Sequence, residues 1–421
     1  MNHFETHELV GNISRDLAVK NGDRFLFISK DQRAYTHGIH KYPAKFFPEL
    51  PRWLIERYSD YGDLILDPFM GSGTTNLESA ILGRNSVGVD VDPFSRMLSR
   101  VKTTPLANNE VSKAWNKLHH HISSYVEPDH LDGVPEFPYR DNWFQRFMLK
   151  EMAHIKTGVE ELNSSEKVKD FFRICFSSIV RQASNADNNC TRTVIRKKLE
   201  KKVIPGMALR LFQRRTEHAI AGMQMLTKAC PNGFVTIPED GDARKMPMLS
   251  DESIDMALTS PPYANAVDYP RTHQLEMYWL GLANGSLNTL KKRHVGTESV
   301  SVKDYTELHM TGCREADNII AKIFAKDPRR AFIATKYLWD MFANLQEVHR
   351  VLKPNAPYII VVGNNLIREE LFETWRYLIS YAPELGYDIE CHFVSEIINH
   401  YIKVPRKERI NDEHIIVMRK S

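Results

Sequence analysis

Residues 63 to 92 confine this chain to a narrow set of folds, because DLILDPF, MGSGT, TNLESAILG and NSVGVDVD read in order as strand, glycine turn, helix and strand. Such a βαβ unit builds a parallel sheet whose crossover helices cover its faces. A second α/β stretch runs from about residue 232 to the end. In it SIDMALT (253 to 259) and APYIIVVG (356 to 363) are short apolar runs bounded by polar or turn residues, as buried strands are. Between them WDMFANLQEVHRVLKPN has helical spacing at Met341, Leu345, Val348 and Leu352 and stops at Lys353-Pro354-Asn355. IECHFVSEI and EHIIVMRK supply two closing strands. The stretch from 106 to 231 lacks strand patterning and carries long helical segments, KVKDFFRICFSSIVRQA and ALRLFQRRTEHAIAGMQMLTK among them. The expected layout is one α/β domain, residues 1–105 and 232–421, interrupted by a helical insertion, 106–231.

With 42% hydrophobic and 26% charged residues in 421, the chain has the composition of a globular protein that buries a substantial core. Cys175, Cys190, Cys230, Cys313 and Cys391 form no CxxC pair, which argues against a zinc cluster or a disulfide framework and for a reducing cytoplasm. The start, MNHFETHELVGNISRDLAVK, has no basic-then-apolar leader, and no apolar run approaches membrane-spanning length. A soluble cytoplasmic protein is expected.

Asp67-Pro68-Phe69-Met70-Gly71-Ser72-Gly73-Thr74-Thr75 lies where a strand gives way to a helix, the place at which open α/β sheets bind nucleotides. Its glycines permit close backbone approach. It is neither GxGxxG nor a P-loop, so neither a pyrophosphate nor a triphosphate ligand is indicated. Asp67 in the turn repels phosphate and attracts an ammonium. S-adenosylmethionine carries an ammonium and no phosphate, and it matches the turn. Asp90 ends the second strand at close to the roughly 20-residue offset at which an acidic residue reaches ribose hydroxyls. Asp242, in GDARKMP, precedes the next strand where a loop can cover an adenine ring and accept from its amino group. The plainer alternatives are a tight turn with Asp67 capping the following helix, and a solvated loop carboxylate at Asp242.

Thr259-Ser260-Pro261-Pro262-Tyr263 follows directly on an apolar strand. Two prolines fix their own dihedrals, remove two donors and keep the preceding residues extended, so the loop is rigid with outward carbonyls. An exocyclic amine attacking a methyl sulfonium needs acceptors on its two hydrogens, and the Ser260 hydroxyl and Pro261 carbonyl are such acceptors. Tyr263 offers a flat face for a base drawn out of the helix. An ordinary Pro-Pro turn is the alternative.

DPFMGSGTT together with TSPPY resembles the amino-methyltransferase family of bacterial DNA modification enzymes, and SPPY resembles its cytosine-N4 branch. His37-Gly38-Ile39-His40-Lys41-Tyr42-Pro43-Ala44-Lys45-Phe46-Phe47-Pro48 is similar to the family motif that precedes the glycine turn and closes over the methionine end of the cofactor. The resemblance covers roughly residues 31 to 105 and 232 to 421. It implies a Rossmann-like class I methyltransferase fold with a seven-stranded mixed sheet. It further implies S-adenosylmethionine bound by Lys45, Phe46, Asp67, Pro68, Phe69, Gly71, Gly73, Thr74, Asp90, Val91, Asp242 and Ala243, with Ser260, Pro261, Pro262 and Tyr263 catalytic. The implied reaction is site-specific N4 methylation of cytosine in double-stranded DNA, in a restriction-modification setting with a cognate endonuclease as partner. Adenine-N6 methylation, RNA methylation and a catalytically silent nucleic-acid-binding subunit are the alternatives.

With 56 Lys and Arg against 53 Asp and Glu, attraction to nucleic acid must come from local clustering. Arg192, Arg196, Lys197, Lys198, Lys201, Lys202, Arg210, Arg214 and Arg215 stand against the single acid Glu200, a pattern that fits phosphate contacts. A solvated helical face has the same pattern. A second cluster, Lys291, Lys292, Arg293 and His294, lies in a stretch from 281 to 330 whose Gly, Ser, Asn and Thr read as a mobile loop able to close on DNA. Asp268, Tyr269, Arg271, His273 and Glu276 either line a base pocket or serve packing. His37 and His40 lack Cys or acidic neighbours in sequence, so they read as loop residues and no metal site is expected.

Overall fold

The structure, a computed structural model, describes residues 6–28, 31–196, 201–230, 233–264, 267–397 and 412–421. Its strands are β1 (Thr6–Val10), β2 (Arg24–Ile28), β3 (Leu64–Asp67), β4 (Asn85–Gly88), β5 (Val235–Thr236), β6 (Met256–Thr259), β7 (Pro357–Gly363), β8 (Asn365–Ile367), β9 (Glu370–Phe372), β10 (Tyr387–Glu396) and β11 (Asp412–Lys420). Nine of these form one sheet in the order β1-β2-β10-β11-β7-β6-β3-β4-β5, while β8 and β9 make a small hairpin. Strand β11 runs antiparallel to both β10 and β7, and the other pairings are parallel. The sheet is thus mixed and of the Rossmann-like class, but among the described residues it has nine strands where seven were expected.

The two additional strands lie at the β10 edge. RFLFI alternates so that Phe25 and Phe27 are buried against Trp53 and Phe393 while Arg24 pairs with Glu396 and Asp412. That pattern is legible as a short amphipathic strand, but only the edge of an existing sheet gives it a place to pair.

Along the central strands neighbouring residues go to opposite cores. Ile65, Met256, Leu258, Ile359 and Val361 face one side with Trp53 and Leu54 of the helix Glu49–Tyr58. Leu66, Ala257, Tyr358, Ile360 and Val362 face the other, against the helix Pro328–Val351. That helix begins well ahead of the expected segment because Asp327 caps it, accepting from the Arg330 amide, with Pro328 in the first turn.

The stretch 106–231 contains the long helices Asn108–Ser123, Arg146–Glu160, Glu166–Ala183 and Met207–Ala229. It is not an appended body. Its apolar core is continuous with Tyr42, Leu77, Phe94 and Leu98 of the α/β part. The stretch 281–330, expected as a mobile loop, contains the helices Asn288–Arg293 and Arg314–Lys326. Ala316, Ile320 and Ile323 pack one face of the latter into the sheet's second core, which fixes it. Among the described residues no helix is long and apolar enough to cross a membrane.

Candidate active site

Both sequence motifs end parallel neighbouring strands, so β3 and β6 deliver them to the same edge of the sheet. Past β3 the chain turns through Gly71 (φ 50°) and Gly73 (φ 69°), both in the left-handed region that favours glycine. A methyl group on Gly73 would come within 2.7 Å of Ser99 Oγ, so the glycine also admits the helix Pro93–Thr103 behind the turn.

Gly73, not Asp67, occupies the cap of the helix Thr74–Ile81, and no side chain bonds there. The capping alternative for Asp67 is therefore excluded. Its Oδ1 accepts instead from the Thr259 hydroxyl at 2.7 Å and the Phe69 amide at 3.1 Å. The Thr259 bond ties the Ser-Pro-Pro-Tyr loop to the glycine turn. Asp90 Oδ2 accepts from the Gly71 amide at 2.9 Å, and its Oδ1 from the Asp92 amide at 2.8 Å. Burial pushes both Asp67 and Asp90 up to about 6, and neighbouring carboxylates add to the effect, Asp90 on Asp67 and Asp92 on Asp90. The buried Asp67 carboxyl with the half-buried Asp90 acting on it forms a site that gains from a cationic ligand.

These groups border a cleft with about 780 Å³ of empty space, part of it open to solvent. Pro68, Phe69 and Thr74 line it from the glycine turn, Asp90 and Val91 from the end of β4, and Lys45 and Phe46 from the 37–48 segment. Lys45 is pinned there, its ammonium donating to the His37 carbonyl at 3.1 Å. Asp242 and Ala243 form the far wall, but the Asp242 carboxylate is engaged by Arg244, which donates to it from Nε at 2.8 Å and Nη2 at 2.6 Å. Asp242 is thus a half-buried, ion-paired carboxylate rather than a solvated loop one, and its Oδ2 accepts a single bond. Arg244 folds back on it from two residues away.

Tyr42, Tyr269 and His294 also line the cleft, Tyr42 from the segment expected to close over the cofactor, Tyr269 from the stretch that offered a base-pocket lining, and His294 from the basic cluster expected to meet DNA. Tyr42 stacks on Tyr269 and His273, and its hydroxyl bonds Ser95. His294 approaches Asp92 at 3.5 Å. Burial lowers the imidazole's pKa, but Asp92 outweighs it and holds the ring above its usual range. Of the acidic and aromatic residues after Tyr263, Tyr269 reaches the cleft, whereas His273 and Glu276 are buried in packing.

Ser260 and Pro262 face the cleft, and Pro261 is buried beneath them. Tyr263 packs against the sheet's second core, and its hydroxyl donates to Glu413 Oε1 at 2.7 Å. Glu413 carries no signal in the sequence, since it comes from the last strand of the sheet.

Beneath the 37–48 segment, His37 donates from Nε2 to Glu78 at 2.7 Å, and Arg52 grips the same carboxylate from Nε at 2.7 Å. Burial pushes Glu78 up, but those two donors outweigh it and keep the carboxyl ionised below its usual range. His37, driven down to about 4 by burial, is neutral.

The basic residues divide. Arg192, Lys202, Arg214 and Lys292 are exposed. Arg196 pairs with Asp187, Lys291 with Asp268, and Arg293 with Asp240 at the cleft. Lys201 turns inward, donating to the carbonyls of Arg181 and Ala186 at 2.8 Å each, so it does not reach out to phosphate as expected. Arg215 is half-buried. Lys197 and Lys198 lie outside the described residues.

A DNA methylase family matches residues 17–97. The chain is 28% identical over 393 residues to the Type II methyltransferase M.MvaI of Kocuria varians, covering 87% of this chain and 85% of that protein. It is 28% identical over 278 residues to the Type II methyltransferase M.BsoBI of Geobacillus stearothermophilus, covering 61% of this chain and 55% of that protein. A shorter match, 28% over 172 residues, links it to the Type II methyltransferase M.MjaII of Methanocaldococcus jannaschii, with 39% and 32% covered.

Proposed function

We propose that this chain, similar to DNA methylases over residues 17–97 and to a Type II methyltransferase over most of its length, methylates the N4 amino group of cytosine in double-stranded DNA at a specific site, using S-adenosylmethionine. S-adenosylmethionine, when bound, supplies an electrophilic methyl group on a sulfonium. The donor set fits it: Asp67 for the ammonium, Asp90 for ribose hydroxyls, and Pro68, Phe69 and Val91 as apolar wall. The raised carboxyls at Asp67 and Asp90 agree with a cationic, phosphate-free ligand.

The observation that carries the reading is the Thr259–Asp67 bond, which fixes the acceptors of the catalytic loop relative to the cofactor turn. Ser260 Oγ and the Pro261 carbonyl accept the two amine hydrogens, turning the nitrogen lone pair away from the ring and toward the methyl group. The amine loses a proton only after it is alkylated, so the loop needs no strong base. The proline pair keeps both acceptors in place without reorganisation. Exposed Arg192, Lys202 and Arg214 hold the duplex by its phosphates, and the target base leaves the stack to reach the loop. Ser260 in place of an acid favours cytosine, and the Type II relatives favour a cytoplasmic modification system with a partner endonuclease.

Labelled cofactor incubated with separate DNA and RNA pools, followed by nucleoside analysis, tests this. The expected product is N4-methylcytosine in DNA, lost in Ser260→Ala and in Asp67→Ala. N6-methyladenine alone moves the assignment to the adenine branch, and label in RNA alone overturns the DNA reading.

A further inference from the structure

The basic run from Lys291 to His294 reads in the sequence as a grip on DNA, yet three of its four residues meet acids of this chain. Lys291 pairs with Asp268 at 3.1 Å, Arg293 pairs with Asp240 at 2.7 Å, and His294 lies 3.5 Å from Asp92. Of the four, Lys292 is the exposed one. Arg293, His294 and Val295 all line the cleft, and Val295 is packed into the sheet's second core. Arg244 fastens the backbone here, donating from Nη2 to the Arg293 carbonyl at 2.9 Å.

The partners of His294 fix the state of its ring. Nδ1 faces the Leu290 carbonyl at 2.9 Å, and a carbonyl only accepts, so Nδ1 carries a proton. In a neutral imidazole Nε2 would then turn a lone pair toward Asp92 Oδ2, and two acceptors facing each other at 3.5 Å repel. A second proton, on Nε2, makes that contact an ion pair. The Asp92 Oδ2 is available for it, because Oδ1 is the atom that accepts from the Phe94 and Ser95 amides. This charge lies beside Asp90, whose Oδ1 accepts the Asp92 amide at 2.8 Å. Burial raises the Asp90 carboxyl most and Asp92 raises it further, while the His294 charge opposes both. Arg96 adds another cation at this corner, its Nη1 donating to the Asp90 main-chain carbonyl at 2.9 Å.

We propose that His294 is a positioning residue at the ribose end of the cofactor cleft, whose imidazolium offsets Asp92 and so leaves Asp90 as the acceptor for the ribose hydroxyls. This rests on the reading of Asp90 as the ribose acceptor for S-adenosylmethionine. The run from Lys291 to His294 thereby serves the cofactor and not the duplex.

Calorimetric titration of the full chain in the absence of DNA tests the proposal, with S-adenosylmethionine, 5′-methylthioadenosine and the 2′-deoxy and 3′-deoxy forms of the latter as ligands. His294→Asn keeps a donor for Leu290 and removes the nitrogen that faces Asp92. It is expected to weaken S-adenosylmethionine and 5′-methylthioadenosine by about tenfold each, a penalty that shrinks to about twofold for at least one deoxy ligand. His294→Gln, which returns a donor toward Asp92 without the charge, is expected to recover part of the loss, to about threefold. DNA affinity, read by fluorescence anisotropy, is expected to stay unchanged in both. Wild-type affinity for S-adenosylmethionine in either variant overturns the proposal. So does an equal penalty on the ribose and both deoxy ligands, which would mark a general loosening of the wall. Weakened DNA binding with cofactor affinity intact also overturns it and returns the run to the duplex. A wild type that binds no S-adenosylmethionine instead overturns the reading on which the proposal rests, so the two failures are distinguishable.

Discussion

At the scale of single residues, Asp67 and Asp90 give the site its pH dependence. Both carboxyls are raised to about 6 from 3.8, so the folded protein holds protons that the unfolded chain has already released. Their contribution to stability is complete below about pH 4 and is lost as pH rises through about 6. The unliganded protein is expected to lose about 1–2 kcal/mol per group over that interval, and Asp67→Asn to flatten it, as thermal melts at a series of pH values would reveal. A bound cation reverses the effect, so the rise in Tm on adding S-adenosylmethionine should be larger at about pH 7.5 than at about pH 5. Gly73→Ala is expected to cost about 2–4 kcal/mol, combining a left-handed backbone with a clash on Ser99, as urea unfolding would measure. Most of these residues were legible in the sequence because strand, glycine turn and carboxylate lie together along the chain. The partners of Asp242 and Tyr263 were not. Arg244 was visible as a neighbour but not as a ligand of Asp242, and Glu413 reaches Tyr263 only after the sheet has closed.

At the scale of elements, Glu78 joins the 37–48 segment to the helix Thr74–Ile81. A carboxylate with no exposed surface holds His37 and Arg52 together, which binds one wall of the cleft to the glycine turn. Glu78→Ala leaves Arg52 without its buried partner and is expected to destabilise the fold by about 3–5 kcal/mol, read from denaturant midpoints. Helical periodicity found the insertion helices and located the helix that precedes β7, but it missed that helix's start at Asp327-Pro328. It also missed the helix Arg314–Lys326, hidden in a stretch whose overall composition reads as loop. Strands β1 and β2 went unread for a different reason: a five-residue amphipathic run becomes a strand only when an edge is present to pair with it, and that edge comes from the chain's last strands.

At the scale of the whole molecule, a net charge of only +3 leaves DNA affinity to a few local cations. Replacing Arg192, Lys202 or Arg214 by Gln is expected to reduce the dependence of log affinity on log salt by about 0.9 for each phosphate that is no longer neutralised, without changing which site is methylated. Fluorescence anisotropy over a salt series checks the first part and sequencing of the modified DNA the second. One feature of the architecture extends further than charge. Leu77 and Phe94, on the helices beside the cofactor turn, share a single core with Phe171 and Phe212 of the insertion. Close-packed interiors transmit displacement, so on the proposed reading a shift of the insertion helices against a duplex also strains the glycine turn proposed to hold the cofactor. Thermodynamic linkage makes any such coupling reciprocal: the factor by which bound DNA changes cofactor affinity is the factor by which bound cofactor changes DNA affinity. The order in which the two arrive then alters the path to the ternary complex and not its stability.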